Sequence, residues 1–463
     1  MFHYFFFYIH NLKMYGKYFY NLWRNVRISE VEEELIVDKN SKVYQTYVQI
    51  LKEELVPAMG CTEPIALAYC GSKCRKILDD DIQSVDIYVS GNIVKNVKSV
   101  IVPNTGGLKG IEAAAVAGIV AGDSDKVLEV ISHVTQKQKD DMRAFMDTTE
   151  IHIHPVDGRS ALDIAIELHG LSHRAKVRIA GYHTNIILIE KDDEVLFSKS
   201  KEGVVVSNDS EATDRSLLNI KMIYEFANCV DIEDVKETLQ RQIDYNMAIA
   251  NEGLKNKWGA NVGNILLNTY GDDVKVKARA YAAAGSDARM SGCELPVIIN
   301  SGSGNQGMTA SIPVVIYAQH LGVSQEMLYR ALVVSNLCTI HQKTGIGRLS
   351  AYCGAVSAGI GAGCGIAYLD GGDCVAISHT IVNGLAVISG IVCDGAKPSC
   401  AAKIASSVDA GIMGYAMYKQ GYEFKDGDGL VSKGVENTIR NIGRLSRDGM
   451  KETDKEIIKI MCD

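Results

Sequence analysis

Ala351-Tyr352-Cys353-Gly354, Ile391-Val392-Cys393-Asp394 and Lys397-Pro398-Ser399-Cys400 all fall in the stretch 351–400 of a 463-residue chain. Around these cysteines the chain is mostly Gly, Ala, Ser, Val and Ile. Helices of small residues approach closely, because little side chain separates their backbones. The run from Ala376 to Val392 is apolar, but Ser378, His379, Asn383 and Ser389 interrupt it and Asp373 and Asp394 bound it. It reads as a buried core helix, not a membrane span. The stretch thus predicts a mainly helical domain of Gly/Ala-rich packed helices over 206–463, with helices at 233–255, 274–285 and 325–337.

Upstream the character changes. Val85-Asp86-Ile87-Tyr88-Val89 alternates as a strand, and strand-like runs follow at 149–154, 161–168, 174–181, 184–191 and 194–198. A small-residue helix is expected at 111–118 and another helix near 124–147. This pattern predicts an α+β sheet domain inserted at 82–205. Residues 38–81 carry one helical period through Val43, Tyr47, Ile50, Leu51 and Leu55, and read as the first part of the catalytic domain. An aromatic, basic leader over 1–37 stands outside this pattern and is not expected to belong to the fold. His3, His10 and Asn11 make it too polar to span a bilayer.

The apolar fraction of 47% and charged fraction of 22% are ordinary for a soluble enzyme. A net charge of -8 argues against nucleic acid as a partner, since phosphate binding needs a basic face. Twelve cysteines without a cleavable signal peptide read as cytoplasmic thiols, most of them packed as small hydrophobes. Oligomeric state is left open.

Some residues go beyond packing. Cys61, in Gly60-Cys61-Thr62-Glu63-Pro64, precedes a helix start, where unpaired N–H groups and the helix dipole favour thiolate. The alternative is a small residue in a tight turn. Cys70 and Cys74 share a helix face and read as core. Ser301-Gly302-Ser303-Gly304-Asn305-Gln306-Gly307 follows a strand-like run and can cradle an anion with successive N–H groups. Its glycine spacing fits neither a Walker loop nor a dinucleotide fingerprint. His152 and His154 alternate on one strand without an obvious third ligand, so a half-exposed strand explains them. Cys353, Cys393 and Cys400 stand 40 and 7 residues apart, which is not a ferredoxin spacing. Three thiolates on a cubane leave one iron open as a Lewis acid, but spacing alone does not decide this.

Taken together and in order, the Cys61 segment, the 301–307 loop, the Cys353 segment and Cys393-Asp394-x5-Cys400 resemble the L-cysteine desulfidase family, related to the iron–sulfur L-serine dehydratases. The likeness covers about 40–460. It implies a 4Fe–4S cluster and cleavage of L-cysteine, a small amino-acid substrate, to pyruvate, ammonia and hydrogen sulfide. Cys353, Cys393 and Cys400 resemble its cluster ligands, and Cys61 its proton acceptor. Thr62, Ser301, Ser303 and Asn305 are then expected to bind substrate, with His341, His379 and Lys343 as further acids or structural groups. Cys462 is either an incidental thiol or a tail cap on the open iron. Two rivals stand beside this reading: an iron–sulfur L-serine dehydratase, and a non-catalytic iron–sulfur redox or sensor protein.

Overall fold

Residues 37–156, 160–199, 213–347 and 349–462 are described by the structure, a computed structural model. The aromatic leader, but for Val37, lies outside the described residues, and so does the Cys462 side chain, with both readings offered for it.

The chain runs through α1 (Lys42–Glu54), β1 (Pro57–Met59), α2 (Thr62–Leu78), β2 (Ile82–Ser90), α3 (Gly91–Val97), α4 (Gly110–Ala121) and α5 (Gln136–Thr148). Five strands follow: β3 (Glu150–Val156), β4 (Asp163–Gly170), β5 (Arg174–Ala180), β6 (Ile186–Lys191) and β7 (Glu194–Ser198). Then come α6 (Ile220–Cys229), α7 (Lys236–Lys255), α8 (Val262–Tyr270), α9 (Val274–Met290), β8 (Pro296–Ile298), α10 (Gly304–Leu321) and α11 (Gln325–Thr344). The chain closes with α12 (Gly354–Leu369), α13 (Cys374–Ile388), α14 (Cys400–Lys419), α15 (Val435–Arg444) and α16 (Lys451–Cys462). The fold is α+β, as the sequence predicts.

The larger sheet has the order β3-β2-β4-β5-β6-β7, with β2 and β3 parallel and the other neighbours antiparallel. Alternation puts Val85, Ile87, Val89, Ile164, Ile166, Leu168, Val177 and Ile179 on a fully buried face. Helix α2 packs there against β4 and β5. Its Cys70 and Cys74 thiols donate to strand carbonyls of Val177, Ile166 and Ala175 at 3.2–3.3 Å. Both are core residues. The C-terminal half of α2 is therefore anchored to the sheet, while its first residues reach the helical half of the chain.

Around α12 the packing is by backbone. A Cβ on Gly411 of α14 would stand 2.2 Å from the Gly359 carbonyl oxygen, and one on Gly363 2.5 Å from the Gly411 oxygen. No side chain fits there, so these glycines let α12 and α14 run in contact. Cys353 and Cys400 stand at the starts of these same two helices.

Several boundaries differ from expectation. The helix expected over 124–147 is a 3-10 turn at Ser124–Glu129 followed by α5, because Thr135 and Gln138 form a capping box that starts a new helix. The helices expected at 274–285 and 325–337 continue to Met290 and Thr344. The apolar run to Val392 leaves the helix after Ile388, since its last residues pair with the chain before α12. Pro57–Met59, expected only as a helix stop, pairs antiparallel with Pro296–Ile298.

Candidate active site

Backbone pairing brings two of the three cysteines to one face of a short bridge. Tyr352 and Val392 form an antiparallel bridge. The Cys353 N–H donates to the Ile391 carbonyl at 3.1 Å, and the Cys393 N–H to that of Ala351 at 2.6 Å. Lys403, in the first turn of α14, donates to the Val392 carbonyl at 3.0 Å and pairs with Asp394, tying this strand-like segment to the helix that begins with Cys400. Cys353, Cys393 and Cys400 line one cavity of about 100 Å³. Burial, then mutual repulsion with its neighbours, pushes the Cys353 thiol up, and burial does the same to Cys400.

Cys61 lines the same cavity. It is the N-cap of α2, as expected, yet the expectation of thiolate fails. Burial first, and then the neighbouring Glu63 carboxylate, push its thiol well above the ordinary range and outweigh the helix start. The neutral thiol donates to Glu63 Oε2 at 3.1 Å. Glu63 Oε1 accepts from Asn96 at 3.2 Å and stands 3.9 Å from His183 Nε2. Burial opposes the Glu63 charge, but these partners outweigh it and hold the carboxyl below its usual range. The sequence reading gave Glu63 no part in the chemistry. A carboxylate two residues after a cysteine at a helix start was the available signal. His183 carried none, because only the sheet brings it here.

The residues expected to bind substrate divide. Ser303 and Asn305 line the cavity with the cysteines. Ser301, with φ +50°, lines a second cavity of about 620 Å³ and donates to Asn300 Oδ1. The Thr62 hydroxyl lies 2.9 Å from the Gly302 carbonyl and 3.2 Å from Glu63 Oε2, holding the start of α2 to the loop. Lys343 lines both cavities. His341 and His379 lie elsewhere, on Glu436 and Glu423 at 2.7 and 2.9 Å. His154 binds Asp86 at 2.5 Å on the sheet, and His152 lies by Glu150.

Arg289 was missed. It closes α9, is 3% exposed, and lines the cysteine cavity. One nitrogen donates to Asn305 Oδ1 at 3.1 Å, while its Nε and Nη2 have no partner among the described residues. Gln306 and Tyr352 line that cavity too, and the Gln306 Oε1 and the Tyr352 hydroxyl have no hydrogen-bond partner among the described residues. A buried guanidinium without a counter-ion is costly, so the cavity is built for an anion. Four helix starts add to this. Cys61, Ser303 and Cys353 are the N-caps of α2, α10 and α12, and Cys400 is the first residue of α14. None of the four has a side-chain cap, a feature they share with α3, α4, α7, α8 and α15. All four starts line the same cavity, so the positive ends of their dipoles add there.

This arrangement fits a thiolate-bound cluster. The three thiols are free, and uncapped N–H groups are the donors that cluster sulfurs accept from. Among the described residues no three His, Cys, Asp or Glu groups converge on one ion. A cubane makes no such demand, because each cysteine takes a different iron.

The profile of the serine dehydratase alpha chain family matches residues 125–459. A UPF0597 protein of Desulfitobacterium hafniense is 60% identical over 93% of this chain and 99% of its own length. One from Lachnoclostridium phytofermentans is 50% identical over 91% of this chain and all of its own, and one from Aeromonas hydrophila 38% over 90% and 95%. On this evidence the chain belongs to the serine dehydratase alpha chain family.

Proposed function

We propose that the protein is an iron–sulfur lyase that cleaves L-cysteine to pyruvate, ammonia and hydrogen sulfide. One observation carries this: Cys61, far away in sequence, shares a single anion-seeking cavity with Cys353, Cys393 and Cys400. The family is generally iron–sulfur dependent, which supports the same reading. Free thiols suit a cytoplasmic setting. Residues 38–81 and 206–463 then form one catalytic unit, interrupted by the sheet unit at 82–205.

Cys353, Cys393 and Cys400 would hold a 4Fe–4S cluster. When bound, it supplies an iron without a protein ligand, a Lewis acid that polarises the substrate. The protein's own groups do the rest. Arg289, Asn305 and the uncapped start of α10 hold the carboxylate, with Ser303 beside it. Against the resting preference of both groups, Glu63 takes the Cys61 thiol proton only once substrate is bound, and the resulting thiolate takes the proton from Cα. The electron pair of the broken Cα–H bond expels the substituent from Cβ. Aminoacrylate then tautomerises and hydrolyses in water.

A second reading has the family's printed description behind it: L-serine as substrate, with hydroxide leaving by the same steps. One experiment tests both. The protein is purified and reconstituted without oxygen, then assayed for sulfide and pyruvate with L-cysteine and L-serine. Faster turnover of L-cysteine supports the first reading, and of L-serine the second. Absence of iron-dependent absorbance together with absence of turnover sinks both. Cys61→Ala should keep the absorbance and lose about 10²–10⁴-fold in kcat.

A further inference from the structure

His183 is a buried titratable group that the steps above do not use. It stands in the turn between β5 and β6, which is fixed by Asn185: its N–H donates to the Tyr182 carbonyl, and its side chain and carbonyl both bond Ala180. The ring is 4% exposed, and Nε2 has no hydrogen-bond partner among the described residues. That nitrogen lies 3.9 Å from Glu63 Oε1. The same side chain lines the 620 Å³ cavity, which Glu63 and Cys61 do not. His183 thus stands between a carboxylate buried beside the cysteine cavity and a space large enough for many waters.

The proposed steps leave a proton with no stated exit. Each turnover breaks Cα–H, forms Cys61 Sγ–H, and leaves the former thiol proton on Glu63. The electron pair departs with the Cβ substituent, so no oxidant or reductant is needed. Glu63 must then lose its proton before the next turnover. Its Oε2 faces Cys61 and its Oε1 faces His183.

We propose that His183 is the proton port of the site: it accepts at Nε2 from Glu63 and releases to water in the second cavity. The gap of 3.9 Å is too long for a hydrogen bond, so a small ring rotation or one bridging water closes it. The sheet unit then has a part in the reaction, since its turn carries the port. This inference rests on the proposed function, but not on which of the two amino acids is cleaved.

The test is chemical rescue. His183→Ala leaves a hole against a cavity that admits small molecules, and His183→Gln fills the hole without a base. Both variants are reconstituted and assayed beside wild type with L-cysteine and L-serine, after confirming native circular dichroism and cluster absorbance. The expected result is a loss of roughly 10²-fold in kcat for both, with KM nearly unchanged. Added imidazole should restore His183→Ala, and 4-methylimidazole more so, while pyrazole, of similar shape but far weaker basicity, should not. His183→Gln should not respond. Solvent deuterium should also enter Cα of recovered L-alanine, a substrate analogue without a leaving group, more slowly in both variants. Unchanged kcat, or rescue by pyrazole equal to that by imidazole, overturns the port and leaves the proposed function standing. A wild-type protein without turnover on either amino acid overturns both.

Discussion

Tyr352 and Val392 meet in an antiparallel bridge, and that pairing puts Cys353 and Cys393 diagonally on its one face. The bridge is only one residue pair long, so something else must hold its second strand. Lys403 does so, through the Val392 carbonyl and Asp394.

Lys403→Met should therefore leave the three thiols in place but loosen their spacing. Asp394 keeps Lys397 at 3.2 Å, so the variant should fold. Iron retention against a chelator should weaken by about 10–100-fold, the usual cost of losing a group that orients metal ligands. Iron and sulfide analysis after reconstitution checks this.

Arg289→Met should separate stability from function. The variant removes a buried charge that has no counter-ion among the described residues, so the cluster-free protein should gain about 1 kcal/mol or more in denaturant unfolding. Turnover should suffer, with kcat/KM falling at least about 10²-fold, because the carboxylate loses a charged partner. A loss of both stability and activity would mean that Arg289 only supports packing.

Gly411→Ala adds a Cβ that would stand 2.2 Å from the Gly359 carbonyl oxygen. Backbone must move to admit it, at about 1–3 kcal/mol. Because α12 and α14 begin with the cysteine segments, the cluster absorbance should weaken as well. Gly421→Ala, which meets nothing in space but has φ +78°, controls for strain of the chain alone.

Glu63 gives the fold an acid-sensitive contribution. Its carboxyl is held below the model-peptide value, so the folded state binds its proton more weakly than the unfolded chain does. The contribution is complete above the unfolded value and is lost as pH falls toward the folded one. Glu63→Gln should flatten the fall in stability between about pH 5 and about pH 2. Urea midpoints across that range decide it.

Much of this was legible in the sequence because it is local. Alternation gave the strands of the sheet nearly to the residue, and small residues gave the packed helices of 206–463. The meeting of Cys353, Cys393 and Cys400 agrees with a resemblance carried by short motifs. What was not legible depends on chain segments arriving from elsewhere. Arg289 looks like an ordinary basic residue near a helix end, where it would complement the dipole. Its lack of a counter-ion appears only once α10 lies across it. The thiol of Cys61 followed the same logic in reverse. A helix start argues for thiolate, but burial beside Glu63 overrides it, and burial is not written in a local motif. Helix ends were missed where a later segment captured the chain, as at Ile388.

The four helices that begin at the cysteine cavity have one more consequence. Their contribution to the field in the cavity comes from peptide groups, which have no proton to lose in the range where enzymes work. Lysines or histidines in the same place would switch off as the medium turned alkaline. A field made of backbone keeps its sign while the thiols around it change theirs, so the attraction for an anion outlasts any change in the acid–base state of the side chains.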